Sequence, residues 1–433
     1  MTSPRIAKAA PTFEDQPIAV ALAGLLALAV AMGIGRFAFT PLLPMMLHDG
    51  VITLPAASWL ATANYLGYWL GAMACALQPW AWQRWRSLRG QRGSAPPLVH
   101  TVAVRAGLVA TVLLTLGMAL PAPVLWPLWR LLAGIASAGV FVYGAGWGLA
   151  RLTALGTPAL AGLIFVGPGL GITVSGLAAT AMVALGWSGA SGWAVFGVLA
   201  AVLTALAWPH LRGRVPVPSV APVAAAAGAG QSVAMAVFTV AYGLAGFGYI
   251  VTATFLPVIA RQALPGSVWP DLFWPLLGLA VAAGALLTLR LPAHWDRRHL
   301  LLVCYVMQAL GVLMGVWLPS LWGFALGSLL IGLPFAAITL FVMQEARRLR
   351  PHRTSAFIGL LTAAFGLGQI TGPPMVALLM AGGGSGHGSA GRGFALSLQV
   401  AAGALLLGAV LFGGLARRHP LAAAPQAGAT QSA

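Results

Sequence analysis

Apolar residues run through this chain in long unbroken blocks rather than in alternation. The blocks lie near 17–47, 56–78, 101–121, 124–150, 157–183, 190–208, 232–260, 269–291, 299–318, 321–345, 355–381 and 394–416. A helix needs about 20 apolar residues to cross ~30 Å of hydrocarbon, so the pattern predicts twelve transmembrane helices. Membrane strands are not expected, because they alternate apolar and polar positions over ~10 residues. The first block is too long for the apolar core of a signal peptide, and no small-residue cleavage site closes it. It is expected to remain as the first span.

Composition strengthens this reading. Of 433 residues, 60% are apolar and only 7% are charged. Mean hydropathy is +0.91. A soluble domain carries about 25% charged residues, so a water-facing surface cannot be built from this chain and a soluble enzyme is excluded. Intrinsic disorder is excluded as well, because it needs low hydrophobicity. A formal charge of +17 could fit a nucleic-acid binder, but most of the 23 Lys and Arg residues sit between the apolar blocks. No nucleic-acid partner is expected.

The basic residues instead set a topology. With the N-terminus inside, 19 of the 23 fall in cytoplasmic segments, and only Arg261 and Arg392 fall in outer loops. Arg36 and Arg130 lie inside spans. Lys and Arg concentrate in cytoplasmic loops, so both termini are expected in the cytoplasm. Anionic lipids of the inner leaflet are the expected partners of that charge. Cys75 and Cys304 both fall within apolar blocks and supply neither a disulfide framework nor a metal cluster. No cofactor is expected.

The chain also repeats itself. Gly33-Ile34-Gly35-Arg36 and Leu43-Pro44 in the first span match Gly246-Phe247-Gly248-Tyr249 and Leu256-Pro257 in the seventh, always 213 positions on. Gly71-Ala72 matches Gly284-Ala285 at the same offset. Gly162-Leu163 and Gly169-Leu170-Gly171 in the fifth span match Gly359-Leu360 and Gly366-Leu367-Gly368 in the eleventh, 197 positions on. The smaller offset reflects a longer loop after the second span (79–100) than after the eighth (292–298). Six spans separate the copies, so they share one orientation and form a parallel repeat about an axis along the membrane normal. The expected plan is an N-terminal tail at 1–16, a six-helix bundle at 17–208, a Pro- and Ala-rich linker at 209–231, a second bundle at 232–416 and a tail at 417–433. The fold class is all-α, a polytopic membrane protein whose two bundles enclose a cavity, as in a rocking secondary transporter.

These features resemble the major facilitator superfamily. Arg130 followed by Gly134 and Gly139 is similar to its Arg-x-x-x-Gly motif, and Gly167-Pro168-Gly169-Leu170-Gly171 to its Gly-Pro motif. Asp296-Arg297-Arg298 is similar to its Asp-Arg gate motif, but the loop after the second span has no acidic residue. Met32 to Pro44, Trp59-Leu60-Ala61 with Asn64 to Tyr68, and Tyr242 to Tyr249 resemble the YbfB/YjiJ branch. The resemblance implies a transporter of the bacterial inner membrane in which a monomer suffices. It implies no substrate.

The candidate chemistry lies in the few polar groups at membrane depth. A charge at the bilayer centre costs between ~2.5 and ~17 kcal/mol, so it normally faces a cavity and has a role. Arg36 and Arg130 qualify, and the resemblance places both on spans that line the first bundle's cavity. Two guanidinium forks suit a carboxylate, phosphate or sulfonate. The structural alternatives are a motif role for Arg130 and a fixed hydrogen bond for Arg36, to backbone or to Asn64. Asn64, Tyr65 and Tyr68 share one helix face, Tyr249 is the repeat mate of Arg36, and Gln369 stands where the first half has Ile172. All five are candidate substrate contacts, with packing as their alternative. Gly167, Pro168 and Gly171 allow close packing and a kink, hence gating, together with Asp296 and Arg297.

No Asp, Glu or His falls at mid-membrane. Three sources of coupling stay open. The substrate carries the proton; Asp49, Asp271 or Glu345 titrates at a cavity mouth; or the protein exchanges anions or runs downhill. The leading reading is a secondary transporter of a small solute, favouring an organic anion, with export of neutral or amphipathic metabolites as the alternative. A membrane enzyme would need a base, nucleophile dyad or metal site at membrane depth, and a channel would need a filter segment. Neither is visible.

Overall fold

The computed structural model describes residues 16–89, 100–212, 229–292, 295–349, 354–381 and 389–418. The expected tails at 1–16 and 417–433 and the linker at 209–231 fall mostly outside these residues. So do Glu14, Asp15, His294, His352, His387 and His419, and the loop charges Arg5, Lys8, Arg92, Arg214, Arg350 and Arg353. Every regular element among the described residues is helical.

Twelve rods follow the twelve apolar blocks. They are α1 (Pro17–His48), α2 (Leu54–Leu88), α3 (His100–Gly117), α4 (Trp126–Ala154), α5 (Pro158–Ala184), α6 (Gly189–Ala207), α7 (Ala229–Ala263), α8 (Trp269–Thr288), α9 (Arg297–Trp317), α10 (Leu321–Leu349), α11 (Thr354–Ala381) and α12 (Ser389–Arg418). Eleven are long and apolar enough to cross a membrane. The exception, α2, has 35 residues, but Trp59, Asn64, Tyr65, Tyr68 and Trp69 lower its hydropathy. It also runs past the expected end at 78. Its extension stacks Trp82 on Trp85 at 5.0 Å and sets the Arg89 guanidinium 4.0 Å above the Trp85 ring. Short loops are closed by left-handed glycines at the helix ends. Gly50, Gly156 and Gly186 have φ near 70°, and the next residue donates back to the last turn, as in Thr157 N to Leu152 O at 2.9 Å.

Helices α1–α6 pack together, as do α7–α12, and the halves meet through α2 on α11, α5 on α8 and the end of α1 on α7. The sequence repeat reappears in these contacts. A side chain on Gly169 would strike α8 at Ala282, and one on its mate Gly366 would strike α2 at Trp69, which lies 213 positions before Ala282. Thr40 Oγ1 donates to the carbonyl of Ala253 at 2.8 Å, and these two residues are themselves repeat mates 213 positions apart. A residue can touch its own mate only on the symmetry axis, so this contact marks where the axis runs. Leu113, Leu206, Leu378 and Val410 are exposed around the circumference, as on helices that face lipid.

Candidate functional site

The site grows out of a local irregularity in α1. Residues Pro17–Leu28 are α-helical, Ala29–Arg36 form a π-helix, and Phe39–His48 return to α. Such wide turns are rare and collect at functional sites. Two glycines make room for it. Gly33 lies against the backbone of Gly171 on α5, and a side chain on Gly35 would meet Ser137 and Thr111.

Donors from neighbouring helices then take up carbonyls at the end of the wide turn. Arg130 Nη1 donates to Gly35 O at 3.2 Å and Nη2 to Arg36 O at 3.0 Å. Asn64 Nδ2 donates to Arg130 O at 2.9 Å and lies 3.5 Å from Gly35 O. Arg130 is also covered by the rings of Phe39 and Trp193, at 5.3 and 5.8 Å. The structure therefore places Arg130 and Asn64 behind α1 as braces of its backbone.

The braced turn aims Arg36 at the other half of the molecule. Its Nη2 donates to Gln369 Oε1 on α11 at 2.5 Å. Gln369 Nε2 in turn donates to the Tyr249 hydroxyl on α7. The guanidinium lies 3.9 Å from the Tyr68 ring, 5.2 Å from Phe37 and 5.5 Å from Tyr65. Its Nε is buried without a partner. Tyr65 OH pairs with Thr254 Oγ1 at 2.8 Å, a second link between the halves. Tyr249 is flanked by Phe335 and Phe365, at 5.1 and 5.8 Å. Arg36 is 3% exposed and Gln369 0%, so the site is shut off from water. Thr40 and Ala253 close it one turn further along α1, and Trp69 Nε1 to Ala363 O at 3.0 Å closes it towards the other end.

Four of the seven expected substrate contacts thus converge around one guanidinium: Tyr65, Tyr68, Tyr249 and Gln369. Asn64 and Arg130 sit behind it. Phe335, Phe365 and Thr254 complete the site without any signal in the sequence, since each stands in an ordinary apolar run.

The carboxylates are engaged elsewhere. Asp49 Oδ2 accepts from Gly189 N at 2.6 Å. Asp271 pairs with Arg261 at 2.6 Å. Glu345 pairs with Arg348 at 3.3 Å and lies 3.9 Å from Arg298. Asp296 caps α9 by accepting from Arg298 N at 2.9 Å and pairs with the Arg298 guanidinium at 2.8 Å. Burial alone would raise the Asp296 carboxyl, but the hydrogen bonds and charge of Arg298 outweigh it and hold it below the usual carboxylate range. Arg298 also donates to Leu415 O at 3.2 Å. It, rather than the expected Arg297, is the hub that joins α9, α10 and α12. Arg297 donates to Pro292 O at 3.3 Å and covers Phe341. No carboxylate among the described residues bonds to Arg36.

In α5, Gly167 and Gly171 pack on α1 where side chains would strike Leu25 O and Ala29 O. Pro168 begins a new helical stretch, Gly167–Ala184, after a break at 165–166. Its fixed φ suits a first turn, so it starts a segment rather than kinking one.

A small cleft with room for about 10 Å³ lies within the second half, lined by Thr252, Leu256, Gly311, Gly327, Ser328 and Ile331 among others.

Comparison with known proteins places this fold. The family model described as an uncharacterised MFS-type transporter, YbfB, matches residues 28–413. No curated protein matches the sequence. Among solved structures, a point mutant of the nucleoside transporter NupG is similar at a TM-score of 0.66 and 14% identity, covering 92% of this chain and 99% of that one. A bacterial homologue of the human lysosomal transporter Spinster, inward-facing and unoccupied, is similar at 0.62 and 13%, covering 94% of this chain and 98% of that one.

Proposed function

Since the chain belongs to the family of MFS-type transporters whose model spans residues 28–413, and is thus a transporter and not an enzyme, we propose that it carries a small organic anion by alternating access, with Arg36 as the charge that selects it. One observation carries this reading. Arg36 is a cation buried between the halves whose partners are all neutral: an amide oxygen and aromatic faces. Such a charge is expensive at membrane depth. A carboxylate, phosphate or sulfonate would supply the missing charge in fork geometry.

The rest of the scheme follows. The bundles at 17–208 and 232–416 rock about the axis marked by Thr40 and Ala253. The Gly167–Gly171 packing on α1 and the Asp296–Arg298–Glu345 cluster serve as joints. Charge enters with the substrate, because Asp49, Asp271 and Glu345 are already held in local contacts. The protein sits in a bacterial inner membrane with both termini cytoplasmic and its basic loops on anionic lipid, and a monomer suffices.

A second reading, transport of a neutral or amphipathic metabolite, is favoured by the rings of Tyr65, Tyr68, Phe335, Phe365 and Tyr249 around the same space. A thermal-shift screen on the detergent-purified protein separates the two. A ligand at ~100 times its dissociation constant stabilises by ~2.7 kcal/mol. Acetate, succinate, phosphate or methanesulfonate is expected to stabilise wild type and not Arg36→Gln. Stabilisation by neutral amphiphiles alone, equal in both proteins, would replace the anion reading with the second one.

A further inference from the structure

The role of Gln369 goes beyond lining the site. It is fully buried, and its repeat position in the first half is an isoleucine, Ile172. The amide oxygen accepts from Arg36 Nη2 at 2.5 Å, and the amide nitrogen donates to the hydroxyl of Tyr249. Tyr249 is the repeat mate of Arg36, so the two halves present an Arg and a Tyr to one Gln. The oxygen lies where a substrate carboxylate oxygen would lie, but it is neutral. The Arg36–Gln369 bond is already charge-assisted on the donor side, but an anion in the same place adds the attraction of opposite charges in a water-excluded site, which the amide lacks. An incoming anion therefore displaces the amide, while an empty site lets it return.

Building on the anion reading above, we infer that Gln369 is an internal stand-in for the substrate. In the empty carrier it occupies Arg36 and ties α11 to α1, and a bound anion takes its place. The consequence is specific. An empty carrier with a naked guanidinium could not close its cavity without burying an unpartnered charge. With the stand-in it closes, so it can return empty and deliver net flux rather than obligatory exchange. The choice of amide also follows. A glutamate here would neutralise Arg36 permanently and exclude substrate, and an aliphatic residue would leave the charge bare.

The two substitutions therefore have opposite effects. Gln369→Leu removes the competitor and is expected to tighten binding of the probe anions (acetate, succinate, inorganic phosphate, methanesulfonate) on the order of tenfold, the worth of one hydrogen bond to a charged group. Gln369→Glu is expected to abolish binding. If Gln369→Leu is too unstable to purify, Gln369→Asn, which keeps the amide but shortens its reach, is expected to fall between wild type and Gln369→Leu.

Closure is read separately, without ligand. A Cβ on Gly359 would lie 4.0 Å from the Cβ of Ala76, within disulfide range. In the full-length protein with Cys75→Ser and Cys304→Ala, the pair Ala76→Cys and Gly359→Cys is expected to cross-link several-fold faster with Gln369→Glu and several-fold slower with Gln369→Leu.

Binding that is lost in Arg36→Gln but weakened, not tightened, by Gln369→Leu overturns the stand-in and leaves the anion reading in place. Absence of anion binding in both wild type and Gln369→Leu overturns the anion reading and displacement with it. Cross-linking rates that ignore residue 369 overturn its bridging role whatever the ligand.

Discussion

Helices α1 and α7 are copies of one another, and they differ where it matters. They share glycines and a proline at a constant offset of 213 positions from Gly33 to Pro44. Yet α1 opens into a π-helix at Ala29–Arg36 while α7 is continuous from Ala229 to Ala263. The cause lies in what stands behind each helix. Behind α1, Arg130 and Asn64 donate to the carbonyls of Gly35 and Arg36. The position matching Asn64 in the second half is Leu277. The contacts of Gly134 and Gly332 align α4 with α10 at an offset of 198, which makes Ser328 the counterpart of Arg130. Neither Leu277 nor Ser328 has a cationic fork to offer, and Ser328 donates to Phe324 on its own helix at 2.8 Å. Without outside donors, a widened turn would leave buried carbonyls unsatisfied. A small cleft beside Ser328, with room for about 10 Å³, lies where the first half is filled by Arg130. One half is thus built around charge and the other around small residues.

Four experiments sharpen or break this comparison. The largest effect is expected from Arg130→Leu, which strips two charge-assisted bonds from the α1 backbone. A loss of about 3 kcal/mol or more, seen as a lower melting temperature in detergent, is expected, whereas Ser328→Ala should cost well under half of that. An equal cost at both sites would end the claim that α1 needs a brace and α7 does not. Next come Gly134→Ala and Gly332→Ala. A Cβ at Gly332 would lie 2.6 Å from Leu277 O, and one at Gly134 would strike the matching carbonyl of Asn64. Both should destabilise by about 1–3 kcal/mol, because this packing is shared by the halves. A smaller effect separates Asn64→Leu from Leu277→Asn. Each should cost about 1–2 kcal/mol, but only Asn64→Leu should also weaken anion binding, because it loosens the turn that aims Arg36. The smallest effect concerns acid. The Asp296 carboxyl is held below its unfolded value near 3.8, so its contribution is complete above pH ~4 and fades as pH falls through the lower folded value. Asp296→Asn should therefore lower the melting temperature at pH 7 and flatten its decline on further acidification.

Much of this architecture could be read from the chain alone, because apolar block length and glycine spacing are local properties. The twelve rods and the repeat fall in that class, and so does the notice drawn to Arg36 and Gln369. Each of those two interrupts an apolar pattern. What could not be read is that they touch. They are 333 positions apart, and only the packing of α11 on α2 and of α1 on α7 brings them together. For Arg130 the sequence left two roles open, a substrate contact and a structural part in its motif. Its guanidinium donates to carbonyls of α1, and the π-helix that receives it leaves no trace in residue spacing. The extension of α2 beyond 78 was hidden because alternating Trp and Arg lower hydropathy without ending a helix. Pairing by Arg298 rather than Arg297 depended on which of two adjacent arginines faces Asp296, which a motif cannot specify.

The contact of Thr40 with Ala253 on the symmetry axis has a last consequence. Suppose two identical six-helix chains had assembled about that axis in place of one fused chain. Every feature near the axis would then appear twice. Two guanidiniums would face each other across a dry site, and two hydroxyls would compete for the place where one now meets a carbonyl. Such a pair would bury two like charges among neutral groups, at a higher cost than one. Only covalent fusion lets one copy carry Arg36 while the other answers with Tyr249. The single charge at the centre of this carrier is therefore a property of its asymmetry.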